Sequence, residues 1–241
     1  MIRARAAMLF VTAMSWALPS SAQTTAPVQE PASTTTWEAS VGADYSVGDY
    51  NAASDTTVVS VPLTLRAQLD RVRLEAIIPY LSVEGPGTSA GGGVVVPGGH
   101  GTTSRSGLGD IYLGAAFLLN RGGQTAPSFE IAGTVKIPTA ASGLGTEEFD
   151  YGAQLNVYQP LSMRTLLFAS AGYQIFGDLP GTELEDGIVA SGGINYTASM
   201  SIALGFGVNY RQQYYQGLGD YVSFSPYVQW SLGGMWRITG Y

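Results

Sequence analysis

Hydrophobic and polar residues alternate one for one over most of this chain. Between Ser128 and Ile137, one parity holds Phe129, Ile131, Gly133, Val135 and Ile137, and the other holds Glu130, Ala132, Thr134 and Lys136. A period of two is the mark of a β-strand with one apolar and one polar face. A loop rich in Gly, Thr and Glu follows over 139–149. The alternation then resumes, with Tyr151, Ala153, Leu155 and Val157 against Gly152, Gln154, Asn156 and Tyr158. The same pattern predicts further strands starting at Trp37, Val59, Val72, Asp110, Thr165, Ile188, Ile202 and Val222, ten full strands with this hairpin, and a short eleventh over 235–241. Pro62 and Pro226 fall mid-strand, where each removes a ladder donor, so a local bulge is expected at both.

Three regularities say which face meets what. No charged residue falls on an apolar parity, as a lipid-facing wall requires, since a mid-bilayer Arg or Lys costs ~2–4 kcal/mol. Connections alternate in length: 47–56, 84–106, 139–149, 176–187 and 212–220 are long, while 70–71, 120–127, 159–164, 197–200 and 233–234 are shorter. Outer-membrane barrels show this asymmetry between outer loops and periplasmic turns. Aromatics of the apolar parity gather at strand ends. Tyr45, Tyr80, Tyr151, Tyr173 and Tyr210 lie toward the long loops, and Trp37, Phe117, Tyr196 and Trp230 toward the short turns. Amphipathic rings favour the headgroup level, so these form two girdles. A soluble sandwich explains the alternation but neither of the other two features.

The expectation is a transmembrane antiparallel β-barrel of about 12 strands (10–12). Its last hairpin is truncated or irregular, because an even count is the rule and Arg237 and Thr239 break the alternation before Tyr241. The odd count predicts a gap in the ladder where 235–241 should meet 37–46.

The amino terminus is set apart from this pattern. Arg3 and Arg5, an apolar run over 6–18 and Ser20-Ser21-Ala22 together resemble a secretory signal peptide, residues 1–22. Residues 23–35 form a Thr/Pro/Ala-rich flexible leader, and 36–241 the barrel. After cleavage the basic count falls from 11 to 9 while the acidic count stays at 18, a net charge of −9 that argues against a nucleic-acid partner. No mature segment has the ~18 apolar residues of a membrane helix. An exported chain of this kind crosses a membrane only as a closed barrel, with outer-membrane lipid as its partner. The oligomeric state is left open.

Two segments then point to a family. Ser-Gly-Leu-Gly-Asp-Ile-Tyr-Leu-Gly-Ala-Ala-Phe-Leu-Leu (106–119) and the hairpin with Lys136-x-Pro138-Thr139, Gly145-Thr146 and Asp150-Tyr151 resemble the outer-membrane family named for the meta-pathway of phenol degradation, whose members are often called transporters. The resemblance covers most of the mature chain. It implies a barrel and passage of small aromatic or other hydrophobic compounds, and it brings no catalytic residues.

Candidate chemistry is sparse. His100 is the only histidine and cysteine is absent, so a metal site would have to be carboxylate-only, and no cofactor is expected. The Gly-rich run 91–101 lacks the Lys-Ser/Thr of a P-loop. A catalytic base must be held in place, and His100 sits in a Gly-rich loop, so no enzymatic role is expected. The inward charges are the sharper signal: Glu38, Glu75 and Glu130 share the polar face with Arg66, Arg73, Lys136 and Arg211. Either they pair and fill a narrow barrel, as buried charges normally do, or some line a solute path. On the second reading Lys136 and Arg66 attract anionic aromatic solutes. The leading functional expectation is a passive channel for small hydrophobic or aromatic compounds, and the alternative is a structural or adhesive barrel with a plugged lumen.

Overall fold

A computed structural model of the chain describes residues 35–48, 55–91, 94–97, 103–178, 184–213, 219–233 and 236–241. Residues 1–34, which hold the expected signal peptide and most of the expected leader, and His100 lie outside the described residues. The strands are β1 (Thr36–Val41), β2 (Asp44–Gly48), β3 (Thr56–Leu69), β4 (Val72–Gly85), β5 (Gly87–Gly91), β6 (Val94–Pro97), β7 (Thr103–Leu108), β8 (Ile111–Asn120), β9 (Ser128–Ile137), β10 (Asp150–Ser162), β11 (Thr165–Ile175), β12 (Gly187–Thr197), β13 (Ile202–Arg211), β14 (Tyr221–Gly233) and β15 (Trp236–Gly240). No helix occurs among the described residues.

Thirteen strands form one antiparallel sheet that follows chain order, and β5 pairs with β6 as a separate hairpin. β1 and β2 lie end to end beside β3, and β7 and β8 lie end to end beside β4, so the thirteen strands make eleven staves. The two edges, β1 and β15, do not pair. Even so, Tyr241 at the end of β15 lies close enough to Asp44 in β2 and Arg66 in β3 to feel their charges. The sheet therefore curls until its edges approach, giving a barrel open along one seam. This is the gap expected from the odd strand count.

Alternation sets the two faces. Leu65, Leu74, Leu113, Ile131, Leu155, Leu204 and Phe224 all point outward and are exposed. Tyr112, Ala132, Tyr158, Phe168 and Tyr227 point inward and are buried. Ala67 is an outward residue that is only 4% exposed; its register partners are Trp37 and Leu74, both much larger.

The prolines behave differently from the expected bulges. Pro62 is paired with Pro79 across the β3–β4 ladder, with no register shift there. The Pro62 carbonyl accepts from the Gly42 amide (3.0 Å) and the Pro79 carbonyl from the Gly109 amide (2.8 Å). In a strand the N–H and C=O of one residue point the same way, so both rings turn their missing donors away from each other, toward the outer neighbours. The cost falls on those neighbours: β1 breaks from β2 at Gly42-Ala43, and β7 from β8 at Gly109-Asp110. Only the second break is a true bulge. From the Tyr80–Leu108 pair to the Ile77–Tyr112 pair, β4 advances three residues and β7–β8 four.

Pro226 also causes no shift in the β13–β14 ladder. The Ser231 amide donates to Ser201 next to β13, so Pro226, of opposite parity, faces the other way. The last β14–β15 pair is Val228–Gly240, which leaves Pro226 on an unpaired edge, where proline is tolerated.

The stretch 84–106, expected to be a loop, is largely strand. β4 continues to Gly85, Val94-Val95-Val96 supply β-branched residues to β6, and β7 pairs with the end of β4. The wall on this side extends beyond its neighbours, carrying the β5–β6 hairpin above it.

Candidate functional site

The inward face divides into a filled half near the short turns and a more open half near the long loops. In the filled half, Arg66 donates through Nε to Glu75 (2.7 Å) with Glu38 3.8 Å away, and Arg73 donates to Glu130 (2.7 Å). Asn156 donates to the same Glu130 oxygen (2.8 Å), and Gln154 donates to Asn156 (2.7 Å). Arg73 of β4 and Glu130 of β9 stand on either side of β8, where Gly114 and Ala116 leave room for them to meet. Tyr158, Leu166 and Phe168 pack together beside this network. The Tyr227 hydroxyl donates to Asn195 (3.2 Å). The Tyr227 ring lies where a Cβ on Gly205 would be, so only glycine fits there.

At the long-loop end one lysine gathers three segments. Lys136, near the end of β9, is 1% exposed. Its Nζ lies 2.8 Å from Asp150 Oδ2 and 3.9 Å from Asp110 Oδ2, and donates to the Thr146 hydroxyl. Asp110 reaches this point because the Gly109-Asp110 bulge turns it inward. Its other oxygen accepts the Thr139 and Ala140 amides (3.1 and 3.0 Å), fixing the start of the 138–149 loop. Asp150 Oδ1 accepts the Gly177 amide (2.9 Å) and so ties down the next long loop. A Cβ on Gly145 would lie 2.6 Å from Asp110 Oδ2, which requires glycine at this close approach. Leu144 then drives the loop inward against Leu81 and Val83.

Between the latch and the filled half lies a cavity of about 160 Å³. Its walls come from β8 to β14 and include Tyr112, Thr134, Gln154, Ser170, Gln174, Ser191, Asn209, Arg211, Tyr221 and Ser223. Arg211, at the end of β13, sits 5.3 Å above the Tyr221 ring, a cation–π arrangement. Asn209 donates to Ser223 (3.2 Å) just below. Outside the wall, in the connection before β14, the Gln213 amide and then the Tyr210 hydroxyl hold the Asp220 carboxyl below its ordinary range.

The seven charges expected on the polar face do not form one cluster. Glu38, Arg66 and Glu75 make one group, Arg73 and Glu130 a second, and Lys136 sits in the latch. Arg211 alone of the seven lines the cavity together with the latch lysine. Lys136 and Arg66 are therefore engaged by carboxylates and do not present the anion-attracting surface expected of them. Sequence reasoning missed Asp110, Thr146 and Asp150 as partners of Lys136, although each belongs to the quoted family motifs.

The residues that converge on Lys136 are thus the ones that carry the resemblance. A family profile described as "Putative MetA-pathway of phenol degradation" matches residues 70–240, which spans β4 to β15. The chain belongs to this family. A comparison with curated proteins found no match. In this member Lys136, Thr146, Asp150 and Asp110 form a buried ionic latch that pins a long loop into the barrel.

Proposed function

We propose that this phenol-degradation family member is an outer-membrane barrel that admits single-ring aromatic compounds through a narrow, selective interior. The observation that carries the proposal is the pairing of a continuous exposed apolar outer face with a polar, tyrosine- and arginine-bearing cavity on the inner one. A soluble chain has no use for so large an uncharged exterior, which far exceeds the few hundred Å² patches of ordinary monomers. The family name supplies the solute class, and the cavity suits it. Its volume of about 160 Å³ is close to the roughly 150 Å³ of a protein cavity that takes up one benzene.

A second reading, a structural barrel with a plugged lumen, draws support from the paired charges and packed rings of the short-turn half. Flux separates the two. Liposomes carrying the protein should equilibrate 4-hydroxybenzoate or benzyltrimethylammonium faster than empty liposomes, while excluding a disaccharide. Rates equal to those of empty liposomes for both aromatics would favour the plugged barrel.

A further inference from the structure

Connecting loops run over protein surfaces, because a buried loop takes its own backbone polar groups out of water. The 138–149 connection departs from this. Leu144, midway along it, is fully buried against Leu81 and Val83 of β4, with Val58 of β3 packed beside them. These three wall residues have inward parity, so the loop lies on the inner surface of the barrel. Its path is fixed on the way. The Ala141 amide donates to the Leu108 carbonyl at the end of β7 (2.8 Å). A Cβ on Gly107 of β7 would lie 3.0 Å from the Ala141 Cβ. The loop joins β9 to β10, yet it crosses inside β8 and β7 to reach β4 and β3. The cavity lies on the other side of the latch. Its walls include Lys136 and Asp150 but no residue of 138–149. The Lys136–Asp150 pair is thus a partition, with the loop toward β3 and β4 and the cavity toward β14.

From this we infer that the 138–149 loop is the size filter of the barrel, with Leu144 as the residue that sets the limit. By filling the β3–β4 side of the interior it confines solutes to the cavity of single-ring size on the other side. The inference rests on the reading of the chain as an aromatic-admitting barrel and names what excludes larger solutes. Free width is one of the few quantities that set what a pore passes, and an inward-packed loop removes width directly. Leu144 holds the loop in place because an apolar side chain gains by leaving water. A charge at the same position would be driven back out.

The test is solute release from liposomes carrying the protein and loaded with labelled sucrose and 4-hydroxybenzoate. The parent should retain sucrose as empty liposomes do. Leu144→Asp should release it at a rate that rises with the amount of protein. The chain has no cysteine, which allows a reversible control. Gly107→Cys with Ala141→Cys places two thiols at the close approach of loop and β7, where a small shift brings them to disulfide distance. Oxidising this pair in the Leu144→Asp protein should restore sucrose retention, and reduction should release it again. Should Leu144→Asp fail to fold, Leu144→Gly removes the packed side chain without adding a charge and should give the same release. Sucrose release by the parent, retention by both variants, or release that the disulfide does not change would overturn the filter. Release of 4-hydroxybenzoate by the parent with no gain of sucrose in the variants removes the filter alone. A gain of sucrose in variants of a parent that passes no aromatic removes the conduit reading alone.

Discussion

Replacing Lys136 by Met is expected to lower the unfolding free energy by ~3–5 kcal/mol, the usual cost of removing one partner from a buried ion pair. The side chain is 1% exposed, and its loss strands two carboxylates that are themselves only 3–4% exposed. Met fills much of the vacated volume, so the loss is electrostatic. Replacing Lys136, Asp110 and Asp150 together by Met, Asn and Asn should restore most of the stability, because removing a whole buried network is often close to neutral. Urea unfolding of the lipid-reconstituted protein gives the magnitude. Proteolysis within 138–149 should rise in the single variant, since Thr146 loses its hydrogen bond from Lys136 at the same time. A single variant within about 1 kcal/mol of the parent, the level of an exposed pair, would mean that the latch is ornamental.

The second large effect concerns the outer wall. Leu155, midway along β10 and exposed, should tolerate no charge: Leu155→Arg is expected to cost ~2–4 kcal/mol when the barrel is in lipid. Its neighbour Gln154 points inward and lines the cavity, so Gln154→Arg should cost much less. The comparison uses two adjacent positions with the same substituent, so depth and backbone are shared and only the facing differs. Equal costs for the two variants in lipid would contradict the assignment of faces.

The period of two carried nearly all of the strand layout, because side-chain direction in a strand is fixed by parity and needs no partner to be known. Register was not legible in the same way. That Pro62 and Pro79 face each other, each sending its missing donor outward, depends on how β3 meets β4, and no local pattern in either strand contains that. The glycines of 84–106 favour a loop, while the pairing of β7 with the extended β4 overrides that propensity. At the site, parity alone assigns seven charges to the polar face. Which of them would be cancelled was hidden: Asp110 reaches Lys136 through a bulge, and Thr146 through a loop that folds inward. Lys136 and Arg211 look alike as inward cations at strand ends. The distances separate them, because two carboxylates flank one and the other stands over a tyrosine ring.

The central claim is that the apolar face of this sheet meets lipid, and its tryptophans report on that most directly. Of the 4 tryptophans in the sequence, one lies in the expected signal peptide, and the others are Trp37, Trp230 and Trp236. All three point outward near the short-turn end, between 54% and 78% exposed. The measurement is intrinsic fluorescence of the mature protein in vesicles containing lipids brominated just below the headgroups. The account predicts strong quenching of the whole tryptophan signal by the brominated lipid and little by aqueous iodide, as expected for rings of an interfacial girdle. Full quenching by iodide with none by the brominated lipid would contradict it.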